Sequence, residues 1–251
     1  MGNLSMKAYK LAIFDLDGTL LDTLQDLANS TNYALCAMGF PTRRIDEVRS
    51  FVGNGIKKLI ERAVPTGTPS EDIEKTLSIF KSYYADHCED KTKPYNGIMA
   101  LLDRLKEENV LIAVVSNKID SAVSVLCEKY FGDRIVISIG DREGIEKKPA
   151  PDSELEVLHS LDIKKEDAVY IGDSEVDIQT AKNAEMDCIS VTWGFRDREY
   201  LANVWEFQND ARLQIIKGQS GVRYGKGLAY FADSPKKVEK ILLSEKEVDF
   251  S

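Results

Sequence analysis

Residues 10–20 read Lys-Leu-Ala-Ile-Phe-Asp-Leu-Asp-Gly-Thr-Leu. The apolar run 11–14 is short and partly β-branched, which predicts a buried strand. It stops at Asp15 and Asp17, and Gly18-Thr19 follows. Side chains alternate along a strand, so with extended geometry carried past Phe14 the two aspartates share a face at the carboxyl end. Open α/β sheets bind their ligands at that end. Two adjacent carboxylates repel and call for a divalent cation, a basic residue or a shared proton. Taken alone, an acidic Asp-Gly turn explains the stretch equally well.

The rest of the chain supplies a context. From 22 to 94 the signals are helical: apolar positions at three- and four-residue spacing over 24–38, a helical stretch over 45–63 interrupted at 51–55, and a helix from Ser70 to about Cys88. This reads as a helical unit inserted after the first strand, with no strand pattern inside it. After the turn at Pro94-Tyr95-Asn96-Gly97, strands near 111–115, 135–139, 168–171 and 188–192 alternate with helices near 98–108, 121–130, 153–161 and 176–183. Such alternation predicts βαβ units around a parallel sheet. Residues 203–227 break the rhythm, and a hairpin through Gly218-Gln219-Ser220-Gly221 or a surface insertion fits them. A strand at 228–231 and a helix at 235–243 close the chain.

At 251 residues the chain suffices for one large domain or two smaller ones. A formal net charge of -9 argues against nucleic acid or an anionic membrane as main partner. The cysteines 36, 88, 127 and 188 are isolated and predict buried free thiols in a reducing compartment; with His87 and His159 equally isolated, a zinc site is not expected. No apolar run reaches the length of a membrane span and residues 1–10 lack a signal-peptide core, so a cytoplasmic location is expected.

Three further strand ends carry chemistry. The strand at 111–115 runs into Ser116-Asn117-Lys118, where a hydroxyl and a backbone N–H can hold a phosphate oxygen, although Ser116 can equally cap the next helix. Lys148, before Pro149, can face the aspartates, or belong to a solvated basic loop. Gly172-Asp173-Ser174 with Asp177 one helical turn on can place two carboxylates at one site, or supply a helix N-cap. Singly these are weak; in order, Asp-x-Asp, Ser, Lys and Asp on successive strand ends offer a carboxylate nucleophile, phosphate donors and a hard-cation site.

This set resembles the four motifs of the haloacid dehalogenase superfamily over residues 10–201 and 228–243. Asp22-Thr23, the stretch Val-Arg-Ser-Phe-Val-Gly-Asn-Gly at 48–55 and Val-Thr-Trp-Gly-Phe-Arg at 191–196 are similar to its phosphoglycolate phosphatase group. The resemblance implies a Rossmann-like doubly wound α/β parallel sheet core (residues 1–21 and 95–251) with an inserted helical cap domain (22–94). It implies Asp15 as nucleophile and Asp17 as general acid and base. Mg2+ would be held by Asp15, Asp173 and the Asp17 carbonyl, with Asp177 behind them. Thr19, Ser116, Asn117 and Lys148 would bind phosphate, and Gly53 and Asn54 the rest of the substrate.

The expected reaction is hydrolysis of a small phosphorylated metabolite, 2-phosphoglycolate foremost, by a monomer or homodimer. Inorganic pyrophosphate, a sugar phosphate with phosphatase or mutase chemistry, and a non-catalytic phosphate-binding regulator are the alternatives. Asp17 speaks against dehalogenation, and the absence of a histidine before His87 speaks against a mutase.

Overall fold

All four residues of the first strand, β1 (Leu11–Phe14), are buried. Leu11 and Ile13 enter one apolar cluster, and Ala12 and Phe14 enter the other. A strand covered on both faces needs apolar residues at every position, which is why this run does not alternate. The computed structural model of the chain describes residues 9–205, 221–224 and 227–243, with only the backbone described for 221–224.

After β1 come β2 (Leu21–Asp22) and four helices: α1 (Leu24–Ala37), α2 (Ile45–Phe51), α3 (Ile56–Ala63) and α4 (Ser70–His87). The chain returns through β3 (Lys93–Pro94) and continues as α5 (Ile98–Glu107), β4 (Leu111–Ile119), α6 (Asp120–Phe131), β5 (Ile137–Asp141), α7 (Asp152–Ser160) and β6 (Ala168–Gly172). It closes with α8 (Glu175–Ala184), β7 (Asp187–Val191), α9 (Arg198–Val204), β8 (Gly221–Tyr224), β9 (Gly227–Ala232) and α10 (Pro235–Leu243).

The main sheet has the order β5-β4-β1-β6-β7-β9-β8. Its pairings are parallel except for β8, which lies antiparallel on β9 at the edge. From β1 the chain moves outward to β4 and β5, then crosses back to β6 on the other side. The reversal of strand order opens a crevice at the carboxyl end of β1, where Asp15 stands. Leu101, Leu105, Val238 and Leu242 cover one face; Val157, Ile178, Ala181 and Leu201 cover the other. The fold is the expected doubly wound α/β sheet. Among the described residues no helix is long and apolar enough to cross a membrane.

Helices α1–α4 bury a separate cluster that includes Leu27, Leu35, Val48, Ile60, Leu77 and Phe80. The two links between this unit and the sheet are tied together. β2 and β3 pair antiparallel, and the buried Asp26 carboxylate accepts from Lys91 N, Thr92 N and Thr92 Oγ1 at 2.8–3.0 Å.

Several expectations need correction. Strands β2 and β3 stand at the two ends of a segment expected to hold none; at two residues each they carry no periodicity. β5 runs over 137–141 instead of 135–139. Its polar end is set by tertiary contact: Gly140 N donates to Asp120 Oδ1 at 2.7 Å, and a Cβ on Gly140 would lie 2.3 Å from Asp120 Cα. Helix α9 was not foreseen; Asp197 caps it by accepting from Tyr200 N at 2.8 Å. Cys127 and Cys188 are buried free thiols as expected, but Cys36 is exposed and Cys88 half-buried. Of the hairpin weighed through 218–221, residues 218–220 lie outside the described residues; β8 begins at Gly221 and pairs antiparallel with β9. Residues 206–220, the bulk of the expected insertion, lie outside the described residues, as do residues before Tyr9.

Candidate active site

Asp15 follows β1 directly, and its N–H donates to Ile171 O at 2.8 Å, so the sheet register itself sets its position. Its Oδ1 accepts from Lys148 Nζ at 2.9 Å. The same ammonium donates to Asp177 Oδ1 and to Tyr170 Oη, both at 2.8 Å. Lys148 therefore has its three N–H donors matched by three acceptors in a site where it is 5% exposed. Burial pushes the Asp15 carboxyl up to about 7 against the pull of Lys148, with Asp177 and Asp17 pushing the same way as burial. Burial works against the Lys148 charge as well, yet Asp15 and Asp177 hold its ammonium above its ordinary range.

Asp173, at the end of β6, is 1% exposed. Its Oδ1 accepts from Thr19 Oγ1 at 3.2 Å and its Oδ2 from Phe195 N at 2.6 Å. Two glycines leave room for it. A Cβ on Gly18 would come within 2.5 Å of Asp173 Oδ2, and one on Gly194 within 2.4 Å of the same atom and 2.3 Å of Gly18 O. Burial, with Asp177 and Asp15 nearby, holds the Asp173 carboxyl well above its ordinary range.

Asp15, Asp173 and Asp177 each offer an oxygen within 4.8 Å of the others. An all-carboxylate donor set suits a hard divalent cation. The three are not equivalent. Asp177 Oδ2 accepts from Asp173 N, Ser174 N and Ser174 Oγ at 2.6–3.2 Å. Its Oδ1 takes Lys148 and Tyr170. Asp177 is thus the third residue of a capping box on α8 and an anchor for Lys148 at once, with both oxygens already engaged. Asp15 and Asp173 keep more acceptor capacity for an ion.

Asp17 turns to a partner that sequence reasoning missed. Its Oδ1 and Oδ2 accept from Lys118 Nζ at 3.0 and 3.1 Å. Lys118 also donates to Tyr84 Oη at 2.7 Å, a residue of α4. The available signal was parity: Lys118 lies two residues after Ser116 on an extended strand, hence on the same face. Nothing in the sequence pointed to Tyr84.

Ser116 does not cap a helix, since α6 begins at Asp120; its Oγ accepts from Lys118 N at 3.3 Å. Asn117 Nδ2 donates to Lys148 O at 3.0 Å and to Gly53 O at 3.2 Å. The cavity they line, about 540 Å³ of empty space open to solvent, has Asp15, Asp17, Lys118, Lys148 and Asp173 on the sheet side. Leu27, Val52, Gly53, Ile56 and Leu59 of the helical unit form the opposite wall. Thr19 is fully buried behind Asp173. The side chain of Asn54 accepts from Arg62 Nη2 at 2.8 Å, and Asn54 is not among the residues lining the cavity.

Arg196 joins the two halves. It pairs with both oxygens of Glu175 and donates to Arg49 O and Val52 O at 3.0 and 2.9 Å. Arg49 returns a bond from Nη2 to Gly194 O at 2.7 Å. A last residue had no sequence signal at all: Glu154 of α7 is fully buried, and among the described residues neither of its carboxylate oxygens makes a well-formed hydrogen bond.

A family model described as haloacid dehalogenase-like hydrolase matches residues 12–191, which include every motif of the site. The chain belongs to the haloacid dehalogenase-like hydrolases. It is 34% identical to phosphoglycolate phosphatase 1 of Pseudomonas aeruginosa over 77% of this chain and 73% of that one. It is 32% identical to a phosphoglycolate phosphatase of Mesorhizobium japonicum over 80% and 88% of the two chains. Among solved structures, a candidate phosphoglycolate phosphatase from Lactobacillus delbrueckii subsp. bulgaricus superposes with a TM-score of 0.82 at 34% identity, covering 95% of this chain and all of that one. Within the haloacid dehalogenase-like hydrolases the chain is a phosphatase, similar to the phosphoglycolate phosphatase group.

Proposed function

We propose that this phosphatase hydrolyses a small phosphomonoester, 2-phosphoglycolate foremost, through a covalent phosphate on Asp15. The observation that carries the reading is the placement of Asp15. It is a buried carboxylate at the sheet's switch point, held by Lys148, with Asp17 and Asp173 lining the same cavity. Asp15 attacks phosphorus while the bond to the leaving oxygen breaks, and Asp17 gives that oxygen a proton. Asp17 then takes a proton from water, which attacks phosphorus, breaks the bond to Asp15 and releases phosphate. Ser116, the Asn117 N–H and Lys148 hold the transferring oxygens, and Asp177 keeps Lys148 in place.

Asp15, Asp173 and the Asp17 carbonyl are the proposed ligands of Mg2+. When bound, the ion supplies positive charge that keeps the carboxylates ionised and offsets charge on the phosphoryl group. We take residues 22–94 as a cap whose wall excludes water and admits small leaving groups, set on a core of 1–21 and 95–251. The choice of 2-phosphoglycolate rests on the relatives' names, and the modest cavity is compatible with it.

The test is phosphate release from a panel of phosphomonoesters and pyrophosphate, with Mg2+ and with chelator. Preference for 2-phosphoglycolate, lost under chelator, supports the whole reading. Preference for another substrate overturns the substrate alone. Asp15→Asn should abolish turnover with the fold intact; undiminished turnover overturns the mechanism.

A further inference from the structure

We propose that Lys118 is a positioning residue that aims the Asp17 carboxylate, and that Tyr84 makes this aim depend on seating of the helical unit. This rests on the acid and base role of Asp17 given above. Three facts carry it. First, the Lys118 ammonium has three N–H donors and three acceptors: both oxygens of Asp17 at 3.0 and 3.1 Å, and Tyr84 Oη at 2.7 Å. A carboxylate gripped through both oxygens has its rotation about the final bond restrained, so its free lone pairs keep one direction. Second, the Lys118 side chain is 4% exposed and that of Asp17 16% exposed, so little water competes for the contact. Third, the last acceptor comes from the helical unit. Tyr84 belongs to α4, packs on Phe80 in the core of the helical unit, and is 7% exposed.

The end of β4 meets the helical unit at a second point as well, through Asn117 Nδ2 and Gly53 O at 3.2 Å. Lifting the unit away would return one Lys118 N–H to solvent and remove the tyrosine that fixes the ammonium. Asp17 would then keep its partner but lose its fixed direction. Proton delivery is thereby linked to closure, at the residue that must protonate the leaving oxygen.

The experiment compares kcat/KM for 2-phosphoglycolate, an alkyl phosphate whose leaving oxygen needs a proton, with that for acetyl phosphate, whose leaving carboxylate does not. Asp17→Asn is the reference. Lys118→Met should lower kcat/KM for the alkyl phosphate by about tenfold to 10²-fold while changing acetyl phosphate less than about threefold. Lys118→Arg should restore part of the loss. Tyr84→Phe removes a single hydroxyl and should give a smaller selective loss, about threefold to tenfold. It keeps the test decisive if Lys118→Met fails to fold.

Equal losses on both substrates, or no loss, in variants that fold while Asp17→Asn stays selective would overturn the role of Lys118. Lys118→Met selective with Tyr84→Phe silent would overturn the link to closure. Asp17→Asn without selectivity would instead overturn the acid role of Asp17 itself.

Discussion

Glu154→Gln should stabilise the protein in a way that depends on pH. Burial pushes the Glu154 carboxyl from an ordinary value of 4.5 up to about 7; Lys148 and the residue's own backbone N–H pull it down, while Asp177 and Asp15 add to the rise. Neither of its oxygens makes a well-formed hydrogen bond among the described residues. The unfolded chain therefore loses this proton at lower pH than the folded one. Between about 4.5 and 7 the folded state binds more protons, so stability falls as pH rises. At about 1.4 kcal/mol per pH unit, the full cost is ~3 kcal/mol, reached above the folded value and nearly absent below 4.5. Gln has no proton to lose. Urea denaturation of both proteins, with chelator present, should give a stability difference that favours Glu154→Gln more at pH 8 than at pH 5, by ~2 kcal/mol. A chain of this length would show that as a Tm difference of roughly 4–8 °C. The reading is the change between the two pH values, so an unsatisfied amide in Glu154→Gln does not disturb it. A difference that is the same at both pH values would refute a buried, proton-holding Glu154.

Gly194→Ala places a Cβ against Asp173 and Gly18 O; it should destabilise by about 1–3 kcal/mol and weaken Mg2+ binding in a calorimetric titration. Unchanged affinity would show that Asp173 has room to move. Arg196→Ala strands Glu175 and frees two carbonyls of the helical unit; a loss of about 2–3 kcal/mol and a raised KM are expected. Asp26→Ala leaves two backbone N–H groups and a hydroxyl without an acceptor, so the amides of Lys91 and Thr92 should exchange faster by hydrogen exchange.

The sheet and the four strand-end motifs were legible along the chain because their signals are local. The run at 11–14 must be apolar throughout to be covered on both faces, and Asp15 directly after it falls at the carboxyl end of the strand. Elements set by tertiary contact were less legible. β5 was expected two residues early because its end depends on Gly140 against Asp120, and the two-residue β2 and β3 exist only as each other's partners.

Within the site, the sequence by itself determined which chemical groups are on offer: Asp15, Asp17, Ser116, Lys148, Asp173 and Asp177. Only the tertiary structure decided how they pair. Lys148 divides between Asp15, Asp177 and Tyr170, and Asp17 takes Lys118 with Tyr84 beyond it. Arg196 fastens the helical unit to the sheet, and Glu154 stays buried with no well-formed hydrogen bond among the described residues. Periodicity and spacing report on the few residues that one strand or helical turn brings together. Ion-pair partners 101 and 133 residues apart are chosen by packing and by the loss of solvent around charge, which exist only once the chain has folded.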